Sequence, residues 1–172
     1  MTSFIINAHT HRPIPEFWRN DKGCAFCQII ERAAPAYRLY EDDKVVAFLD
    51  ILPIRPGHML IVPKVHYARV SDLPPEYAAA LGQAISRLSL ALTKAMQNTA
   101  LNVVCNQEYA QAVAHVHYHV VPAPDLGGSR QAEEITRKAP LATDIHNREL
   151  EAREELDDGD AIQLVGRIKT HL

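Results

Sequence analysis

Three histidines alternate with other residues in Ala114-His115-Val116-His117-Tyr118-His119-Val120-Val121-Pro122. In an extended strand successive side chains point to opposite faces, so His115, His117 and His119 share one face at a spacing of roughly 6.8 Å. Val116, Tyr118 and Val120 take the other face. A neutral imidazole is both a metal ligand and a nucleophile, and its ordinary pKa lies near neutrality. Each ring also brings two nitrogens that need partners, so three in a row are poor material for burial. The pattern reads as a metal site or as a nucleophile and acid–base constellation, with a solvated His-rich face as the plain alternative. A second pair, Cys24 and Cys27, has the C-x2-C spacing of zinc ligands. Its other reading is a pair of buried or redox thiols. The third cysteine, Cys105, closes an apolar run and reads as an inert core thiol.

Composition says what kind of scaffold carries these side chains. The chain has 172 residues, 47% hydrophobic and 23% charged, which fits one globular domain and is short for a (β/α)8 barrel of about 250 residues. A net charge of −3 offers no electrostatic footprint for nucleic acid. No apolar run approaches the ~20 residues of a membrane span. The first 20 residues carry charges and two prolines rather than the apolar centre of a secretory signal. With an odd cysteine count, these features point to a reducing, cytoplasmic or nuclear location, and neither nucleic acid nor membrane is expected as a partner.

Hydrophobic periodicity divides the chain into an irregular arm (1–22), a patterned domain (23–122) and a polar extension (123–172) with an acidic cluster. A short helix is expected over Phe26–Arg32. A hairpin joins Tyr37–Glu41 to Val45–Leu49 around Asp42 and Asp43. Pro56-Gly57 is a turn before a strand at His58–Val62. Pro74-Pro75 opens a long amphipathic helix, Glu76–Gln97, because Leu81, Ile85, Leu88, Leu92 and Met96 recur at helical spacing. Leu101–Cys105 and Val116–Val121 read as strands. Asp160 is placed to cap a last helix, Ala161–Lys169, with Ile162, Val165 and Ile168 on one face. Strands, a long helix and strands again fit an α+β fold with an antiparallel sheet.

The His-x-His-x-His run resembles the signature of the histidine-triad (HIT) family. The likeness extends upstream in the right order, through Cys24-Ala25-Phe26-Cys27, Val46-Ala47-Phe48-Leu49-Asp50-Ile51, Arg55-Pro56-Gly57-His58 and Leu60-Ile61-Val62-Pro63-Lys64-Val65-His66. The resemblance implies a five-stranded antiparallel sheet per protomer with one long and one short helix, and a homodimer that joins two sheets into one of ten strands. It implies a purine-nucleotide ligand and a covalent mechanism. His117 would attack the α-phosphorus, His119 would contact the phosphate, and His115 would orient its neighbours.

By the same resemblance Gln111 lies beside the phosphate and Asn106 contacts ribose or phosphate. Phe26, Ile29, Phe48 and Ile51 wall the base pocket, and Asp50 accepts ribose hydroxyls. Cys24, Cys27, His66 and His115 form a closed, structural Cys2His2 zinc site. The implied reaction is hydrolysis of purine nucleoside 5′-phosphoramidates, with dinucleoside polyphosphate hydrolysis as the alternative and a nucleotide-binding interaction module of weak turnover as a third reading. Three departures stand out: Asn106–Val113 contains no glycine, Ala112 replaces a hydroxyl residue, and Ala123 replaces an arginine. From Gly127 onward the chain lies outside the resemblance, and its acidic cluster reads as a solvated face or as a cover for a partner's pocket.

Overall fold

The computed structural model describes residues 23–108, 110–123 and 155–172. The N-terminal arm and most of the C-terminal extension lie outside those residues. The sheet contains β1 (Arg38–Glu41), β2 (Val45–Leu49), β3 (Met59–Pro63), β4 (Leu101–Cys105) and β5 (Tyr118–Pro122). Its order is β1-β2-β3-β5-β4, and every adjacent pair is antiparallel. Among the described residues three α-helices accompany it: α1 (Ala25–Ile30), α2 (Pro75–Met96) and α3 (Asp158–Lys169). This is the expected α+β architecture, with one long helix, one short helix and a partly helical C-terminal extension.

The central strands are buried on both faces, and their alternation divides the molecule in two. Val45, Ala47, Leu49, Met59 and Ile61 pack with Leu81, Leu88 and Leu92 of α2. Val46, Phe48, Leu60 and Val62 face the other way and pack with Cys24 and Phe26. Cross-strand pairing links Phe48 to Leu60, Leu60 to His119 and His119 to Val104. Opposed residues share a face, so His119 lies on the α1 side of the sheet and Val120, paired with Met59, on the α2 side.

Turn chemistry holds the strand ends. Asp42 Oδ1 accepts from the N–H groups of Lys44 and Val45 at 2.8 and 2.7 Å, which closes the β1–β2 hairpin. Gly57 has φ +90°, and a Cβ there would sit 3.1 Å from both Leu92 Cδ1 and Pro122 Cγ. Only glycine suits that position, and it delivers His58 to the head of β3.

Two expectations need correction. The triad strand begins at Tyr118, not Val116. Continuing the β3–β5 register (Ile61 with Tyr118) would set Val116 opposite Pro63, which has no N–H to give a ladder. Val116 N–H bonds instead to Tyr67 O at 2.7 Å. The last helix begins at Asp158 and is capped by Asp157, whose carboxylate accepts from Gly159 and Asp160 N–H. Its buried stripe is Ala161, Leu164 and Ile168, while Ile162 is 67% exposed. The stripe follows i, i+3, i+7 spacing, on which Ile162 does not fall.

Candidate active site and metal centre

Four candidate ligands converge where α1 meets the entry to β5. Cys24 precedes the first residue of α1, and Cys27 lies one turn further on. Cys24 Sγ is 3.5 Å from His115 Nδ1, Cys27 Sγ is 3.6 Å from the same atom, and Cys27 Sγ is 3.3 Å from His66 Nδ1. All four ligand atoms lie within 4.8 Å of one another. Zinc bonds of about 2.3 Å to sulfur and about 2.0 Å to nitrogen, at tetrahedral angles, separate S from N by about 3.5 Å. The donor set and its spacing therefore fit such an ion. His115 Nε2–H donates to Pro63 O at 2.8 Å, which leaves the Nδ1 lone pair facing the sulfurs. Burial, assisted by the neighbouring His66 and His117, pulls the His115 imidazole down to about 4, the neutral state a ligand requires. α1 is only six residues long and has no side-chain N-cap bond. The burial of Phe26 and this cluster hold it in place.

Two residues on, His117 serves different partners. Its Nδ1–H donates to His115 O at 2.6 Å. In the neutral ring that bond puts the proton on Nδ1 and leaves the lone pair on Nε2. His117 is buried edge-on against Phe26, at 5.0 Å between centroids, and against His119, at 4.8 Å. Burial lowers its pKa below the ordinary 6.5, with the His115 carbonyl and the Asp50 charge acting in the opposite direction.

His119 Nδ1 lies 3.0 Å from Nε2 of His58. His58 is fully buried, and its Nδ1 meets both the Ile54 N–H at 3.2 Å and Asp50 Oδ2 at 3.3 Å. These contacts are alternatives. A neutral His58 with its lone pair on Nδ1 accepts from Ile54 and donates from Nε2 to His119, which keeps the His119 proton on Nε2. With its proton on Nδ1, His58 donates to Asp50 instead, and in that neutral tautomer Nε2 accepts from His119 Nδ1–H. Sequence reasoning sets His58 at the head of the strand His58–Val62 and gives it no role at the site. The available signal was its place at the head of a fully apolar strand.

The structure gathers most of the other expected site residues around this row. Phe26 meets Phe48 at 5.7 Å, edge to face, with Ile29 packed alongside. Asp50 Oδ1 accepts from Leu52 N–H at 2.8 Å. Ile51 is 56% exposed on the same turn. Asn106 is half-buried, directly after β4. Gln111 is turned inward: Nε2 donates to Ala68 O at 2.9 Å and Oε1 accepts from Glu108 N–H at 2.7 Å. Its amide therefore braces the loop before the triad. Glu108 and Ala110 adopt φ of 62° and 56°, left-handed conformations that glycine occupies at least cost. An ion pair from Arg69 to Glu108 also holds this loop.

Comparisons with known proteins place the chain in a family. The family model for the HIT domain matches residues 31–125. An adenylylsulfatase from Arabidopsis thaliana (HINT3) is 32% identical over 151 residues, 87% of this chain and 69% of the relative. An adenosine 5′-monophosphoramidase from Saccharomyces cerevisiae (HNT1) is 39% identical over 107 residues, 61% of this chain and 65% of that one. Among solved structures, a zinc-bound histidine triad family protein from Mycobacterium smegmatis matches with a TM-score of 0.65 at 28% identity, over 88% of this chain and 96% of that one. The family model spans more than half of the sequence and includes all three triad histidines, and the chain belongs to the HIT family of nucleotide hydrolases.

Proposed function

We propose that the protein hydrolyses purine nucleoside 5′-phosphoramidates through a covalent nucleotidyl-histidine on His117. The observation that carries this reading is the 2.6 Å bond from His117 Nδ1–H to His115 O. It fixes the tautomer whose Nε2 is free to attack phosphorus. In the first step a bond forms from Nε2 to the α-phosphorus, the P–N bond to the amine breaks, and the leaving nitrogen takes a proton from solvent. Water then attacks the same phosphorus, the P–Nε2 bond breaks, and water's proton returns to solvent, which releases the nucleoside monophosphate and restores the neutral ring. His119, half-buried and bonded to His58, supplies an N–H toward the phosphate oxygens. Phe26, Ile29 and Phe48 offer the apolar wall for the base, and Asp50 the acceptor for ribose hydroxyls.

Zinc at Cys24, Cys27, His66 and His115 would supply a closed structural crosslink with no open position for substrate. It ties α1 to the segment that carries the nucleophile. A second copy of the chain across the open edge of β4, where Val103 is 43% exposed, would extend the sheet to ten strands. Among the described residues no helix is long and apolar enough to cross a membrane.

The Arabidopsis relative aligns along most of this chain, so adenylylsulfate is a second candidate substrate. The test is a side-by-side measurement of kcat/KM for an AMP-amine, adenylylsulfate and a diadenosine polyphosphate. The AMP-amine is expected to rank first. First rank for another substrate reassigns the leaving group. Nucleotide binding without turnover of any of the three would leave only the binding-module reading.

A further inference from the structure

We propose that the C-terminal segment, Leu156 together with helix α3, is part of the nucleoside side of the site, and that it positions the turn Asp50–Leu52. The inference rests on the nucleotide reading above. It concerns an element beyond residue 125, where the family match ends.

The turn carries Asp50, the proposed ribose acceptor, and Ile51, an expected base-pocket residue. Two of its side chains bury little, since Ile51 is 56% and Leu52 46% exposed. Hydrogen bonds, one of them to the Asp50 carboxylate, hold it. Asp50 N–H donates to His58 O at 3.0 Å, and Leu52 N–H to Asp50 Oδ1 at 2.8 Å. A further bond comes from the far end of the chain, from Leu156 N–H to Ile51 O at 3.0 Å.

Leu156 is itself rigidly presented. It packs on the main core, and the next residue, Asp157, caps α3. The start of α3 is tied to the strand side of the same turn: Tyr37 OH donates to Asp158, and Tyr37 O accepts from Leu49 N–H, just before Asp50. Further along, Ala161, Leu164 and Ile168 are buried in the core. Arg167 donates to Ala95 O at the end of α2, and Arg87 of α2 donates to Leu172 O at 2.7 Å. The helix is therefore clamped along its length, and Leu156 transmits that rigidity to the turn. Leu156 acts as a positioning residue for the ribose acceptor, at the opposite end of the nucleotide from the leaving group.

The test uses Leu156→Pro in the full chain, which removes the donor N–H. AMP affinity is measured by calorimetry, and kcat and KM with ribose and 2′,3′-dideoxyribose forms of the same AMP-amine. Losing one net hydrogen bond from the turn should raise the Kd for AMP by roughly 2- to 10-fold. KM should rise with it for the ribose substrate, less for the dideoxy form, with kcat held within roughly twofold. Unchanged AMP affinity, or a fall in kcat at constant KM, overturns the inference. Wild-type protein with no affinity for AMP refutes the nucleotide reading itself. Should Leu156→Pro not fold, amide exchange in the unaltered chain decides. The Leu156 N–H is expected to become more protected when AMP saturates the site, and unchanged protection overturns the inference.

Discussion

His115 and His119 stand four residues apart, yet their surroundings make them opposites. His115 is sealed: Nε2 is committed to Pro63 O, Nδ1 faces two thiols and His66, and the ring has no exposure. His119 lies on a strand, half-buried, with one nitrogen bonded to His58. His117 sits between them. It takes its orientation from the sealed side through the His115 carbonyl and meets His119 on the other. A histidine's chemistry here is decided by what occupies its second nitrogen. A backbone carbonyl fixes a lone pair for metal or phosphorus, whereas another imidazole leaves a proton that can be passed on.

The sharpest way to break this contrast is a pair of substitutions. His117→Asn should lower kcat/KM by roughly a thousandfold or more and leave the thermal midpoint and metal content near wild type. His66→Asn should do the reverse. It should abolish bound metal and lower the midpoint by about 10 °C or more, with a smaller loss of turnover. Unfolding curves, metal analysis and steady-state kinetics together check both halves. If the two variants behave alike, the division into a structural and a reactive side is wrong.

A smaller effect concerns pH. Attack requires neutral His117. Burial holds its pKa below the ordinary 6.5, so the reactive form persists as pH falls past that value. Activity is lost only as pH drops through the lowered pKa. The acid limb of kcat/KM should therefore lie below 6.5, and a limb above it contradicts the assignment. The smallest effect belongs to the loop before the triad. Ala110 holds φ of 56°, so Ala110→Gly should stabilise the protein by about 1 kcal/mol, read as a midpoint a few degrees higher.

Legibility in the sequence followed the strength of local signals. The long helix was expected over Glu76–Gln97 and runs Pro75–Met96, because its apolar residues recur over six turns behind two prolines. The strands at Val45–Leu49 and Leu101–Cys105 match because each is a short run rich in β-branched and apolar residues. The start of the triad strand was not legible. Its extent depends on Pro63 of another strand, which no local pattern around His115 reveals. The cap of α3 was expected at Asp160 and is Asp157, because both carry the same capping carboxylate and only tertiary burial of Ala161 and Leu164 selects the register. At the site, the convergence of Cys24, Cys27, His66 and His115 followed from motif resemblance. The contact of His58 with His119 needed the turn at Gly57 to be folded first. The bond from Leu156 to Ile51 joins two stretches with no shared motif at all.

The most direct measurement is acid-free rapid quenching of the enzyme with an AMP-amine, followed by peptide mass analysis. A mass increase of one nucleoside monophosphate on the peptide holding His115, His117 and His119, absent from His117→Asn, is the predicted result. Turnover with no such adduct, or an adduct that persists in His117→Asn, would contradict nucleophilic attack by His117.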